Sequence, residues 1–296
     1  MKKALLFAMA ALTLTACQQA DLSEEAVQQE QQQKTKHFTF HVKGDFKMEY
    51  ADMSRASVRL EDDNTAGITD IWVLDYVTVP GESSPVLMQQ VHQTSTDTDF
   101  GHPSLDLSYG SHDIKLIASK GDTPVLSASA LSWAKVKDTF VLDYPVNVVA
   151  SSNGNRAPEL KRAISGLQIA MQDAVPENVA TVKVKLSKHY KTLLLSTLLA
   201  DTDAEFENTF TFTSTHVGQK ITLNTYTLCP TSDAWTTDVT VTSLDKNNAT
   251  LSTFTVQDVE LKQNRITTLK GEIFSRGSGF SVTIDDTWLD PTEIEF

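Results

Sequence analysis

The chain has 296 residues, of which 40% are hydrophobic, and a formal net charge of -13. That length holds one large domain or two ordinary ones, at ~100–200 residues each. The acidic balance argues against nucleic acid and anionic lipid as partners, since both need a basic patch.

The N-terminus reads as an export signal. Lys2 and Lys3 precede an apolar run from Ala4 to Leu14, and Leu14-Thr15-Ala16-Cys17 closes it. Small residues directly before a cysteine are similar to a bacterial lipobox, in which the thiol is acylated and the chain is cut to begin at that cysteine. Residues 1–16 are therefore expected to be a lipoprotein signal peptide, with Cys17 as the lipidation site. The alternative is an ordinary signal peptide with a chance cysteine at its end. The run is too short for a spanning helix, which needs ~20 apolar residues. The leader removes two of the 25 basic residues and none of the 38 acidic ones, so a chain starting at Cys17 carries about -15. Residues 17–36, rich in Gln and Glu, bury too little to offset chain entropy and are expected to be a flexible tether.

From His37 the texture changes to alternation. Phe38, Phe40 and Val42 alternate with polar residues, as do Val58 and Leu60, then Leu105, Leu107 and Tyr109, then Ile114, Leu116 and Ala118. The second half repeats the habit at Val182, Val184 and Leu186; Phe210 and Phe212; Ile221 and Leu223; Val239 and Val241; and Phe280, Val282 and Ile284. Period-two runs rich in Thr, Val, Ile and Phe, separated by turn residues, predict an all-β chain of the sandwich class. Leu193 to Ala200 fits either a helix or a buried strand. The turn-rich segment Ala150-Ser151-Ser152-Asn153-Gly154-Asn155 is the best boundary, giving one sandwich over residues 37–151 and a second over 152–296.

Few residues suggest chemistry. His37 and His41 lie four apart on a predicted strand, ~13 Å, too far to share one metal ion. Asp97-Thr98-Asp99 and Asp201-Thr202-Asp203 resemble fragments of a calcium loop but lack its glycine and terminal glutamate, so solvated loop acids are the simpler reading. Asp285, Asp286 and Asp290 cluster beside Trp288, yet neighbours on a strand point to opposite faces, which makes a glycosidase pair a poor fit. Cys229 is expected to be a buried thiol rather than a nucleophile. No nucleophile elbow, P-loop, dinucleotide fingerprint or zincin motif is present. The expectation is a binding or structural module with no catalytic residue, no cofactor and no metal.

The residues between the gaps carry a resemblance. Ile68-Thr69-Asp70-Ile71-Trp72-Val73-Leu74-Asp75-Tyr76 is similar to a strand of the fimbrillin-like lipoproteins of the Bacteroidetes, the family of the FimB-type fimbrial anchors. The likeness continues through Leu107-Ser108-Tyr109-Gly110, Val136-Lys137-Asp138-Thr139-Phe140, Lys262-Gln263-Asn264-Arg265-Ile266-Thr267 and Gly279-Phe280-Ser281-Val282-Thr283-Ile284-Asp285. It implies two tandem transthyretin-like β-sandwich domains and a surface-exposed lipoprotein of the outer membrane, held by lipid on Cys17. It also implies a pilus role with other fimbrial subunits as partners, assembled by β-strand complementation. Subunits of such pili look to be cut by an Arg-specific protease near the first strand, and Met53-Ser54-Arg55-Ala56 sits where such a cut would fall. An exposed loop arginine is the equal alternative for Arg55. The acidic tail Asp290 to Phe296 is short for a donor strand, which favours an anchor or accessory subunit over a stalk subunit. The competing reading is a surface glycan-binding or adhesin lipoprotein, for which Trp72, Trp133, Trp235 and Trp288 are the candidate stacking residues.

Overall fold

The computed structural model describes residues 34–44, 46, 67–275 and 281–285. Within them lie 21 strands and, as helix, only a 3-10 turn at Ser214–His216. The all-β expectation holds. The first half carries β1 (Thr35–Phe40), β2 (Lys43–Gly44), β3 (Asp70–Val77), β4 (Val86–Thr94), β5 (Ser104–Ser108) and β6 (Gly110–Ser119). It continues with β7 (Val125–Leu126), β8 (Ala130–Ser132), β9 (Thr139–Val148), β10 (Asn155–Arg156) and β11 (Glu159–Arg162). The second half carries β12 (Ile164–Met171), β13 (Thr181–His189), β14 (Thr192–Leu194), β15 (Ala200–Asp201) and β16 (Ala204–Thr211). The remaining strands are β17 (Thr222–Leu228), β18 (Trp235–Leu244), β19 (Thr250–Leu261), β20 (Ile266–Gly271) and β21 (Ser281–Asp285).

Two sheets, ordered β10-β1-β5 and β2-β11-β9-β6-β3-β4, enclose the N-terminal core. Phe38, Phe40, Leu105 and Leu107 meet Ile71, Val73, Ile114, Leu116 and Phe140 there. This is the direct product of the alternation, because every second side chain of a strand faces the same way. The C-terminal sandwich is built likewise from β17-β12-β20-β21 and β16-β13-β18-β19. Its core includes Leu167, Ile169, Val182, Val184, Leu186, Leu223, Val239, Val241 and Leu269.

A fifth sheet ties the halves together. β7 and β8 from the first half join β14 and β15 from the second in one sheet, ordered β15-β14-β8-β7. Leu131, Trp133, Leu193, Leu195, Leu198 and Ala200 then pack on Trp72, Leu74, Ile117 and Val141, on the far side of the larger N-terminal sheet. β3 is therefore covered on both faces, and its first six residues are all buried. Strands buried on both faces read as continuous apolar runs rather than as alternation. The ambiguous stretch Leu193 to Ala200 turns out to be a hairpin: Leu193 pairs with Ala200, and Leu198 turns the loop with φ 53.

Strand pairing crosses the boundary expected at residues 151/152. β10 pairs with β1 and β11 pairs with β9, so residues 155–162 complete the N-terminal sandwich. The turn-rich segment is pinned against β1: the Thr39 N–H donates to the Gly154 carbonyl at 2.8 Å. A Cβ on Gly154 would collide with the His37 carbonyl oxygen, so only glycine lets the two backbones approach there. The chain passes between cores at Arg162-Ala163-Ile164. Arg162, 4% exposed, grips Asp138 through Nε at 2.7 Å and Nη2 at 3.0 Å. Its Nη1 donates to Asn264 Oδ1 at 3.1 Å, and Gln263 Nε2 donates to its carbonyl. The strand β1 also begins at Thr35, inside the stretch expected to be tether.

Candidate functional site

Three groupings of polar residues could carry chemistry, and each resolves into structure. Ser108, His112 and Asp75 form a serine–histidine–aspartate constellation that the sequence did not reveal. His112 Nδ1 meets Asp75 Oδ1 at 2.7 Å, and Nε2 lies 3.3 Å from Ser108 Oγ. Nε2 also lies 2.8 Å from the Ser108 carbonyl, which can only accept, so Nε2 carries a proton. A base must offer that nitrogen to the hydroxyl, so this ring does not activate Ser108. Burial opposes the charge on His112, but the hydrogen bond and charge of Asp75 outweigh it and raise its pKa above the ordinary 6.5. The group is a charged pin between the two N-terminal sheets.

The second grouping, Lys115 between Asp113 and Asp143 at 2.9 Å each, is a salt-bridged row across β6 and β9. The third is the buried thiol Cys229, beside Ser165 Oγ at 3.1 Å. Burial pushes its pKa up to about 12, which removes the thiolate that nucleophilic chemistry requires.

The histidines do not assemble a metal site. His37 pairs with Asp106 at 2.9 Å, while His41 packs edge-on against His102 with ring centroids 4.8 Å apart. Among the described residues no three metal-ligating side chains converge. Asp97 caps its own loop by accepting the Thr94 N–H at 2.6 Å, and Asp201 and Asp203 are exposed. The three described tryptophans do not form a platform. Trp133 is 1% exposed, Trp72 stacks on His92 at 3.9 Å, and Trp235 sets its edge against Tyr190. Cys17, Arg55, Asp286, Trp288, Asp290 and the tail lie outside the described residues.

What is left open is a sheet edge. β21 ends its sheet, paired only to β20 among the described residues. Val282 stands opposite Leu269 and Ile284 opposite Thr267, both buried, so the two apolar side chains take the inward-facing parity. They are nevertheless 48% and 39% exposed. An edge strand offers a row of unpaired backbone donors and acceptors, and this one adds an uncovered apolar strip beside them.

A family model described as a family of unknown function, DUF6562, matches residues 72–295. The chain belongs to that family. No curated protein matches it. Among solved structures, a candidate polysaccharide-binding protein (DUF1812) from Bacteroides thetaiotaomicron is 11% identical, with a TM-score of 0.52 over 83% of this chain and 97% of the other. A candidate adhesin from Bacteroides ovatus is 14% identical, with a TM-score of 0.50 over 88% and 97%. The fimbrial anchor protein Mfa2 from Porphyromonas gingivalis is a looser likeness, 8% identical with a TM-score of 0.49 over 85% and 97%. At these identities the first two likenesses establish a shared fold. That fold agrees with the architecture implied by the fimbrillin-like resemblance, and the likeness runs along nearly the whole length of the other chains.

Proposed function

We propose that this DUF6562 member is a lipid-anchored anchor or accessory subunit of a surface fimbrium, joined to its neighbours by strand addition. The β21 edge is the observation that carries the reading. A strand supplied by another subunit would pair with β21 and cover Val282 and Ile284 in one step, gaining both main-chain hydrogen bonds and apolar burial. The fold shared with a protein described as a candidate adhesin supports the same role. Cys17 supplies the membrane attachment, and Arg55 the cleavage point where the chain is cut there. If Cys17 stays joined to the rest, the chain is an anchor.

The test is genetic. Deleting the gene should shorten or abolish surface filaments, and Cys17→Ala should release the protein from membranes. Val282→Glu should leave the protein folded and membrane-bound but reduce its co-purification with filaments. Normal filaments in the deletion strain would remove the proposal, and membrane retention of Cys17→Ala would remove the lipid anchor.

A further inference from the structure

The C-terminal sandwich places an asparagine where its pattern calls for an aliphatic side chain. On β16, Phe206, Asn208 and Phe210 share one face. Asn208 pairs with Val184, and its two neighbours with Leu186 and Val182, all three fully buried. Asn208 thus points inward and is 7% exposed. Its Nδ2 donates to Thr225 Oγ1 at 3.3 Å, and among the described residues its Oδ1 makes no hydrogen bond. Thr225 is inward as well, opposite Leu167 on the other sheet. The Asn208 Oδ1 keeps its acceptor capacity for a bound molecule.

The residue lines a cavity of about 160 Å³ where β16 and β17, each the last strand of its sheet, come together. Asn208 and Thr225 line it, the Phe206 and Phe210 rings wall it, and Asn224 and Tyr226 on β17 complete the C-terminal side. The N-terminal half closes it with Lys120 and the segment Lys135–Asp138. Lys135 and Lys137 are exposed and make no ion pair among the described residues, while Asp138 is engaged by Arg162. His189, stacked on Phe206 at 4.0 Å, is held neutral because burial lowers its pKa to about 4. The lining is therefore cationic, in a chain whose net charge is -13.

We infer that this cavity binds a single acidic sugar residue, a hexuronate, between the two halves. The volume suits one six-membered ring, since it falls below the ~300 Å³ of ordinary drug-sized pockets. Aromatic rings meet the C–H face of a sugar, amides and threonine meet its hydroxyls, and the two rim lysines meet its carboxylate. An inorganic anion would leave the Phe–Asn–Phe row unused, and a neutral sugar would leave the lysines unused. The inference does not depend on the chain being a pilus subunit.

The test is a titration of the full chain at low salt with D-glucuronate, D-glucose and acetate, followed by calorimetry. Glucuronate should saturate in the millimolar range, with glucose and acetate each at least ~10-fold weaker, or ~1.4 kcal/mol. Lys135→Ala with Lys137→Ala should weaken glucuronate at least ~10-fold while leaving the melting temperature unchanged, because both side chains are exposed. Asn208→Asp, nearly the same shape but repelling a carboxylate, should do the same. Acetate binding as tightly as glucuronate, glucose binding as tightly as glucuronate, an unaffected lysine variant, or no saturation by ~50 mM would each overturn the proposal.

Discussion

The N-terminal sandwich buries Asp75 against His112, Asp70 against His92, and Lys115 between Asp113 and Asp143. The C-terminal sandwich has an almost wholly aliphatic core and leaves its ion pairs, Lys183–Glu207 and Lys185–Glu205, at the surface. Its outer sheet is stitched instead by hydroxyl pairs, Thr240 with Thr255 at 3.0 Å and Thr242 with Thr253 at 3.3 Å. Part of the difference follows from layering. The larger N-terminal sheet is covered on both faces, so Asp70 and Lys115, which an ordinary sandwich would turn to water, are trapped and must find partners, whereas Asp75 and His112 meet on its inner face with the parity of Val73 and Ile114. The outer C-terminal sheet, β16-β13-β18-β19, keeps a wet face, where threonine serves without a charge. Buried pairs demand geometry, whereas an apolar core tolerates more change of shape.

The contrast is easiest to break at His112. His112→Leu leaves Asp75 buried without its partner, and should cost about 3–5 kcal/mol of unfolding free energy in urea titration. Replacing both, as Asp75→Leu with His112→Leu, should recover most of that loss, since the desolvation cost goes with the charges. A single variant that loses less than about 1 kcal/mol would show that the pair is not ionised in the native state.

Titration sets the two halves against each other. The pKa of His112 is raised, so its contribution is fully present below 6.5 and fades as pH rises through the folded value. That of His189 is lowered to about 4, chiefly by burial, so the sign reverses. The unfolded chain takes up a proton near 6.5 while the folded one resists until about 4, and stability falls across that window as pH drops. The loss is on the order of 3 kcal/mol at the acid end. His189→Gln should flatten the acid limb of the stability–pH curve and leave the neutral-to-alkaline limb, where His112 acts, in place. An unchanged acid limb would sink this assignment.

A smaller effect is expected at Asp173, whose carboxylate accepts the N–H groups of Ile273, Phe274 and Ser275 and the Ser275 hydroxyl, all at 2.6–3.0 Å. Burial raises its pKa, but these bonds outweigh burial and lower it below 3.8. Its contribution is therefore present above that value and is lost as pH falls through the folded one. Asp173→Asn should cost about 1–3 kcal/mol at neutral pH, read from the same urea titrations, and nearly nothing in strong acid.

The alternating strands were legible because period two survives wherever a sheet has one dry face, as in Val182, Val184 and Leu186. The strands Asn155–Arg156 and Glu159–Arg162 were not, because they are too short to show a period and are placed by partners more than a hundred residues away in β1 and β2. Leu193 to Ala200 stayed ambiguous because a tight hairpin buried on one side mimics a helical apolar run. The His112–Asp75 pin joins residues 37 apart, and no local pattern announces it. The Phe–Asn–Phe alternation was visible at residues 206–210, but only the pairing with β13 shows that its asparagine faces inward. Collinear resemblance carried the fold further than any of these signals, since it pools weak matches along the chain.

The smallest effect sharpens the comparison from the other side. Lys183 and Glu207 meet at 2.7 Å with side chains 36% and 43% exposed, where water and salt screen the pair. Lys183→Ala should change stability by about 0–1 kcal/mol, and the change should vanish at high salt. The pair lies on the same outer sheet as the threonine rows, so Thr240→Ala, removing one hydroxyl of the pair with Thr255, should cost a similar amount without the salt dependence. Equal salt sensitivity in both variants would mean that charge, not hydroxyl pairing, holds the outer face, and the distinction between the two sandwiches would then rest on their cores alone.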